Sequence, residues 1–375
     1  MYMAIFFIVQ SLILVKHVSS FSTPSLSNFQ GTINYYRRFS PSAHYVSDGD
    51  DTEIDTNDYS YEINDEDIES SMEQNEKIRF RARAAYDGSG FRGWQVQAKG
   101  RTCQGELENV LSTRFNRTVK IVGAGRTDAS VHARGQAFHF DVYCNEIVTK
   151  GNIDESLSNT QNFCKQLQKS LNSMLKDDIR IYNVMECPPP VEVTHQDGSV
   201  RTHKWHVIYN SEKKLYVYRI SLRPKAVAVD PLERYRRVHM DGDIDPHNLQ
   251  RILRHYEGTH DFRAFSGAIE ANMKKDGVEH KDTVRTVYSC DLIDEGEGNY
   301  RIEIYLKGAL YKMVRNMVGT AIDVAKGRFD EEKMLVMLHQ KKEEQLVRKD
   351  NKCKPAPGEG LTLEKVYFED DGFLF

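Results

Sequence analysis

The sequence has no long hydrophobic run, no C-x-x-C pair and neither a P-loop nor a serine-hydrolase motif. Its most apolar stretch, residues 4–15, is too short to span a membrane. The six cysteines form no C-x-x-C pair and are dispersed, which excludes a disulfide framework and indicates free thiols. The histidines also lack metal-ligand spacing, and neither a P-loop nor a G-x-S-x-G elbow occurs. We therefore expect no metal site.

Charge is distributed unevenly along the 375 residues. Residues 1–76 contain 3 basic and 13 acidic side chains, whereas residues 77–375 contain 48 and 42. The mildly basic body suits an anionic partner, and its length allows two ordinary domains or one large one.

The first 76 residues resemble targeting and linker segments. Residues 1–20 are similar to a signal peptide, although no basic residue precedes the apolar run, so a misassigned start or an unstructured terminus is the alternative. Residues 21–47 lack acidic residues and have transit-peptide composition. Together they resemble the bipartite leaders of plastids of secondary origin, with a mitochondrial or cytoplasmic location as the alternative. Residues 48–76 are predicted to be an acidic disordered linker.

Folded sequence is predicted to begin at Lys77. Strict alternation over residues 77–87 predicts a strand with Arg79, Arg81 and Arg83 on one face, which is either a solvated outer face or a phosphate-binding one. Apolar spacing predicts helices over residues 104–115, 161–175, 246–256, 311–325 and 331–342, and strands over residues 136–141, 204–209, 283–292, 300–307 and 361–368.

The prolines that follow Cys187 predict a domain boundary between residues 77–187 and 188–375, because proline continues neither a helix nor a central strand. The mixture of strands and helices in each half favours the α+β class, with two domains that each contain a mixed or antiparallel sheet flanked by helices.

Two glycine-rich segments are candidates for chemistry. Residues 88–93 match G-x-G-x-x-G, but no helical pattern follows them, so we interpret them as a turn between strands. Residues 123–140 read GAGRTDASVHARGQAFHF and place Arg126 two residues before Asp128. An arginine beside a carboxylate suits an ionised nucleophile, although capping or a solvated ion pair explains the same pattern.

Residues 123–140 resemble the signature of TruA-type tRNA pseudouridine synthases, whose invariant aspartate lies in a G-R-T-D-x-x-V-H-A loop. The resemblance extends over most of residues 77–370. It includes, in the family's order, YDGSGFRGWQVQ (86–97), QGELE (104–108), EGTHDFRAFSG (257–267), TVRTV (283–287), LYKMVRNMVGT (310–320) and APGEGLTLEKVYF (356–368).

The resemblance implies an enzyme that isomerises uridine to pseudouridine in the anticodon arm of tRNA without a cofactor, in a cleft between two domains. Asp128 would attack the flipped nucleotide, Arg126 would help to displace the target base, and Arg315 would pair with Asp128. The resemblance also implies a homodimer, with tRNA as the partner and no membrane association in the mature form.

Two departures from the family pattern concern substrate binding. The family usually has R-x-Y-x-Y after the domain boundary, with its first tyrosine stacked on the uracil. Residues 201–206 read RTHKWH, which would place His203 and Trp205 at the aromatic positions; His203 either stacks or is a surface histidine. The H-A-R-x-S-A segment is replaced at residues 193–198. The alternatives are a non-catalytic tRNA-binding protein or chaperone, and a synthase for another organellar RNA.

Overall fold

A computed structural model describes residues 76–149, 153–154, 156–194, 198–224, 230–240, 243–267, 269, 282–340 and 346–369. The predicted signal-like and transit-like segments, and all of the predicted linker except Glu76, lie outside the described residues. No helix within the described ranges is long and apolar enough to cross a bilayer.

Strands and helices alternate along the described chain. The helices are α1 (Cys103–Phe115), α2 (Asn159–Met174), α3 (Pro246–Arg254), α4 (Met313–Ala325) and α5 (Glu331–Leu338). The strands are β1 (Lys77–Tyr86), β2 (Ile121–Gly123), β3 (His132–Tyr143), β4 (Ile179–Glu186), β5 (Val191–Thr194), β6 (Val200–His203), β7 (Ser211–Ser221), β8 (Val238–His239), β9 (Gly258–Asp261), β10 (Val284–Gly296), β11 (Asn299–Leu306) and β12 (Leu361–Phe368).

A single large sheet runs through both halves of the chain, in the order β4-β1-β3-β12-β7-β11-β10-β9. The last strand, β12, joins the halves because it pairs with β3 in parallel and with β7 in antiparallel fashion. The α+β class and the mixed sheet flanked by helices are therefore confirmed. Each half contributes its own strands, but β12 unites them into one sheet, and the division at residue 187 stays a prediction.

The core lies between the sheet and two separate pairs of helices. In the first half, α1 and α2 pack together over the sheet. The ring centroids of Phe80 on β1 and Phe163 on α2 are 5.5 Å apart. A capping box between Ser158 and Gln161 begins α2. In the second half, α3 packs against β10 and α4. The buried apolar residues of both halves form one continuous cluster.

One predicted strand is wrong. Residues 204–206 are irregular and residues 207–210 form a turn, where the His206 amide donates to Asn210 Oδ1 at 2.8 Å and the Asn210 amide donates to the His206 carbonyl at 2.9 Å. The long strand of this region is β7 instead. Its central residues, Leu215 to Tyr218, are buried on both faces of the sheet, so they show a continuous apolar run rather than the alternation used for prediction.

Candidate active site

Residues 124–131 join β2 to β3 and are here called the Asp128 loop. Hydrogen bonds to the backbone of this loop hold it on the sheet. Gln136 on β3 donates through Nε2 to the Gly125 carbonyl at 2.7 Å. The Val131 amide donates to the Asp128 carbonyl at 3.2 Å, which turns the chain back toward β3. The sheet therefore fixes the position of Asp128.

Two glycines allow other segments to approach this loop closely. The Trp94 amide donates to the Thr127 carbonyl at 3.0 Å, and the preceding Gly93 has φ +96°. A Cβ on Gly93 would lie 2.7 Å from the Thr127 carbonyl, and one on Gly358 would lie 2.7 Å from the Ala129 carbonyl. Side chains at either position would displace the loop. The glycine-rich motif that ends at Gly93 thus supports the Asp128 loop.

An ion pair links the loop to the second half of the chain. Arg315 on α4 donates through Nη1 to Asp128 Oδ2 at 2.9 Å, and both side chains are 16% exposed. The guanidinium is held in place because Arg315 Nε donates to the Ala356 carbonyl at 2.7 Å. A charge-assisted bond of this length orients the carboxylate while leaving it reachable from solvent. The structure thus brings together two of the predicted site residues.

Strand β7 contributes a cation and a phenol that sequence reasoning missed. Lys214 Nζ donates to the Ala124 carbonyl at 2.7 Å, and burial lowers the pKa of Lys214 to about 8. A Cβ on Gly125 would lie 3.6 Å from Lys214 Nζ and 3.9 Å from the Tyr216 hydroxyl. Burial, followed by the nearby Asp128 carboxylate, raises the pKa of the Tyr216 phenol, which stays protonated at neutral pH.

Tyr216 and Tyr218 are a second candidate for the aromatic pair. These residues have the Y-x-Y spacing of the family motif, preceded by Lys214 where the motif has arginine, in the sequence KLYVY. The spacing alone would have identified them had β7 been recognised as a strand. His203 is exposed on β6 and Trp205 is buried, and their assignment to the aromatic positions stays a prediction.

Trp205 is 6% exposed. Its ring packs on Phe368 at 5.1 Å and on His139 at 6.2 Å. Arg81 lies over the same ring at 5.0 Å. A base could therefore stack on Trp205 only after these neighbours had moved.

The predicted exposure of the arginine face of β1 is also wrong. Arg83 and Arg81 are 0% and 5% exposed. Arg81 lies over the Trp205 ring at 5.0 Å and Arg83 over the Phe368 ring at 5.8 Å. Arg79 forms a two-point ion pair with Asp141, at 2.8 and 3.0 Å. RNA binding by this face stays a prediction, and it requires displacement of the rings that cover it.

Arg126 differs from these residues because it is exposed on the Asp128 loop. Within the described part of the chain it forms no side-chain hydrogen bond or ion pair. It is therefore available to a ligand that approaches Asp128.

Metal ligands and disulfides play no part in the described site. Among the described residues, no group of three or more histidine, cysteine, aspartate or glutamate side chains could hold a metal ion. The six cysteines are free thiols in the structure.

Comparison with known proteins gives the same family for both halves. A model of the tRNA pseudouridine synthase family matches residues 252–369. The tRNA pseudouridine synthase A of Anoxybacillus flavithermus is 32% identical over 293 residues, which are 78% of this chain and 99% of that protein. The tRNA pseudouridine synthase A 1 of Protochlamydia amoebophila is 34% identical over 292 residues, which are 76% of this chain and 95% of that protein.

These similarities cover both the Asp128 loop and the Arg315 helix. The relatives match almost from end to end, and they cover 78% and 76% of this chain. The chain belongs to the tRNA pseudouridine synthase family, whose members are isomerases.

Proposed function

We propose that this protein isomerises uridine to pseudouridine in the anticodon arm of tRNA, with Asp128 as the nucleophile. The observation that carries the proposal is the Asp128–Arg315 pair, because it delivers an oriented carboxylate at the junction of the two halves of the chain. A protein that only binds RNA has no need of a matched carboxylate and guanidinium.

Uridine and pseudouridine contain the same atoms, so the reaction is an isomerisation and needs no co-reactant. Asp128 attacks the flipped nucleotide at the base or the ribose, the N1–C1′ bond breaks, and the uracil rotates. C5 then bonds to C1′, the bond between Asp128 and the nucleotide breaks and restores the carboxylate, C5 releases its proton, and N1 ends protonated. Flipping costs a few kcal/mol of stacking, which Arg126 and an aromatic ring can offset. We assign the stacking role to Tyr216, because it lies beside the Asp128 loop.

The non-catalytic alternative depended on the apparent loss of the aromatic pair and on the replaced segment at residues 193–198. Tyr216 and Tyr218 have the required spacing, so the first departure no longer favours a chaperone, whereas the second still does. A synthase for another organellar RNA differs only in substrate, which is decided by testing several unmodified transcripts.

Incubation of the protein with unmodified tRNA, followed by chemical detection of pseudouridine, tests the proposal. We expect product in the anticodon arm without added cofactor. Asp128→Asn should abolish it, by at least about 10³-fold, while tRNA binding survives. Continued product formation by the variant would exclude Asp128 as the nucleophile.

The leader supports a separate proposal on location, namely a plastid of secondary origin. A fluorescent protein fused behind residues 1–47 should enter the plastid of an alga with such an organelle. Retention in the cytosol would refute it. The homodimer is likewise a proposal, and analytical ultracentrifugation should show twice the monomer mass; a monomer at micromolar concentration would contradict it.

A further inference from the structure

A cavity of about 530 Å³ lies next to the end of the Asp128 loop. It is formed where several strands begin or end, and Tyr86, His132, Ile179 and Thr362 line it. His132 directly follows the Asp128 loop. Because alternate residues of a strand point to opposite faces, Arg219 enters this cavity from the face of β7 opposite to Tyr216 and Tyr218.

The acidic residues of the cavity are engaged by other groups. Asp178 accepts from Arg101 at 2.9 Å, Asp87 accepts from the Ser89 amide at 3.0 Å, Asp177 pairs with Arg180, and Glu233 lies 3.9 Å from Arg237. Asp177, Asp178 and Glu233 thus face arginines. Burial acts to raise the pKa of Asp87, but the bonds from Ser89 and the nearby charges of His132 and Arg236 lower it below its ordinary value.

Two arginines of the same cavity keep donors that no acceptor in the described chain uses. Among the described residues, neither Arg219 nor Arg236 donates a side-chain hydrogen bond or forms an ion pair. Burial lowers the pKa of Arg219, against the opposing charges of Glu364 and Glu295. Glu295 pairs with Arg237, and Glu364 pairs with Arg134 at 3.4 Å while its Oε2 has no partner in the described part of the chain.

Arg236 is exposed, and no nitrogen of Arg219 is buried without a partner in the structure described, so both guanidinium groups can donate to a ligand from solvent. A phosphate group could accept from both, since the planar fork of arginine binds phosphate at two points. Arg219 and Arg236 come from different segments and border one cavity, and the cavity is larger than a phosphate group alone. These features fit a phosphate with a sugar attached.

We propose that this cavity binds a phosphate group through Arg219 and Arg236, with Arg134 beside them. We take the source to be the RNA backbone, and this choice rests on the proposed function. Because Arg219 and Tyr216 lie on opposite faces of β7, RNA would contact this site and the Asp128 loop together by passing around the end of the sheet where His132 follows the loop. The cavity is thus a positioning site for the substrate, separate from the residues that react.

The test measures tRNA affinity over a range of salt concentrations for the full-length protein, for Arg236→Gln and for Arg219→Gln/Arg236→Gln. Each lost phosphate contact should lower the slope of log K against log salt by about 0.7 to 0.9. Arg251→Gln is the charge-matched control, because Arg251 is bound to Glu331 outside the cavity. The control should keep the wild-type slope.

A second arm uses inorganic phosphate alone. If free phosphate is the source, it should raise the Tm of the wild type above that in chloride of equal ionic strength, and it should not protect the double variant. The tRNA slopes would then be unchanged. Equal tRNA slopes together with no phosphate protection would overturn the site. Pseudouridine formation by the wild type is measured separately, so failure of the proposed function is recognised independently.

Discussion

Two clusters in this molecule combine arginines with aromatic rings, and they behave differently. The Asp128 cluster (Asp128, Arg315, Lys214 and Tyr216) places a guanidinium against a carboxylate, with both groups 16% exposed. The Trp205 cluster (Arg81, Arg83, Trp205 and Phe368) places guanidinium groups over rings that almost fully bury them. A ligand can reach the ion pair of the first cluster, whereas Lys214 and Tyr216 beside it are each 6% exposed, as little as Trp205 in the second cluster.

The difference shows that the partner and the burial of an arginine decide its role. Arg81 and Arg83 lie at regular spacing on one strand, which suggested a phosphate-binding face, yet they are 5% and 0% exposed, so contact with a phosphate requires their neighbours to move. Arg315 has no such pattern around it, and it meets Asp128 only because α4 returns to the loop from 187 residues away. Regular charge spacing is thus a poor guide to the exposure of arginine side chains.

The largest expected effect is a loss of kcat, which should occur for a substitution in the Asp128 cluster and not for one in the Trp205 cluster. Arg315→Gln should lower kcat by about 100-fold or more and the free energy of unfolding by about 3 kcal/mol, because it leaves a carboxylate with little solvent and no counter-charge. Arg81→Met should lower stability but leave kcat and KM unchanged. Steady-state kinetics and urea unfolding measure both. An increased KM for Arg81→Met would instead support the predicted contact between Arg81 and RNA.

The sequence predicted the Asp128 loop better than the substrate-binding strand, for physical reasons. The loop depends on local chemistry: glycines that permit close approach and an arginine next to an aspartate. Its pairing with Arg315 followed only from resemblance, because spacing cannot reveal a contact between distant segments. Tyr216 and Lys214 were missed because their strand is buried on both faces and lacks alternation, and because a lysine is ordinarily a surface residue.

An intermediate effect on kcat/KM should decide between Tyr216 and His203 as the residue that stacks on the base. Tyr216→Ala should lower kcat/KM by about 10- to 100-fold, because base stacking contributes about 1–3 kcal/mol, whereas Tyr216→Phe keeps the ring and most of the activity. His203→Ala is the matched control and should be indistinguishable from the wild type. The reverse result would return the stacking role to His203.

The smallest effect concerns the buried cation of the Asp128 cluster. Burial lowers the pKa of Lys214 from 10.5 to about 8, so between these values the unfolded chain binds more protons and stability rises with pH. Lys214→Met removes this titration. Its free energy of unfolding relative to the wild type should therefore fall by about 2 kcal/mol between pH 7 and pH 9.5. Lys99→Met, at an exposed position, should show no such change in urea titrations. Parallel curves for Lys214→Met and the wild type would mean that the ammonium is solvated, and that its bond to the Ala124 carbonyl does not anchor the loop.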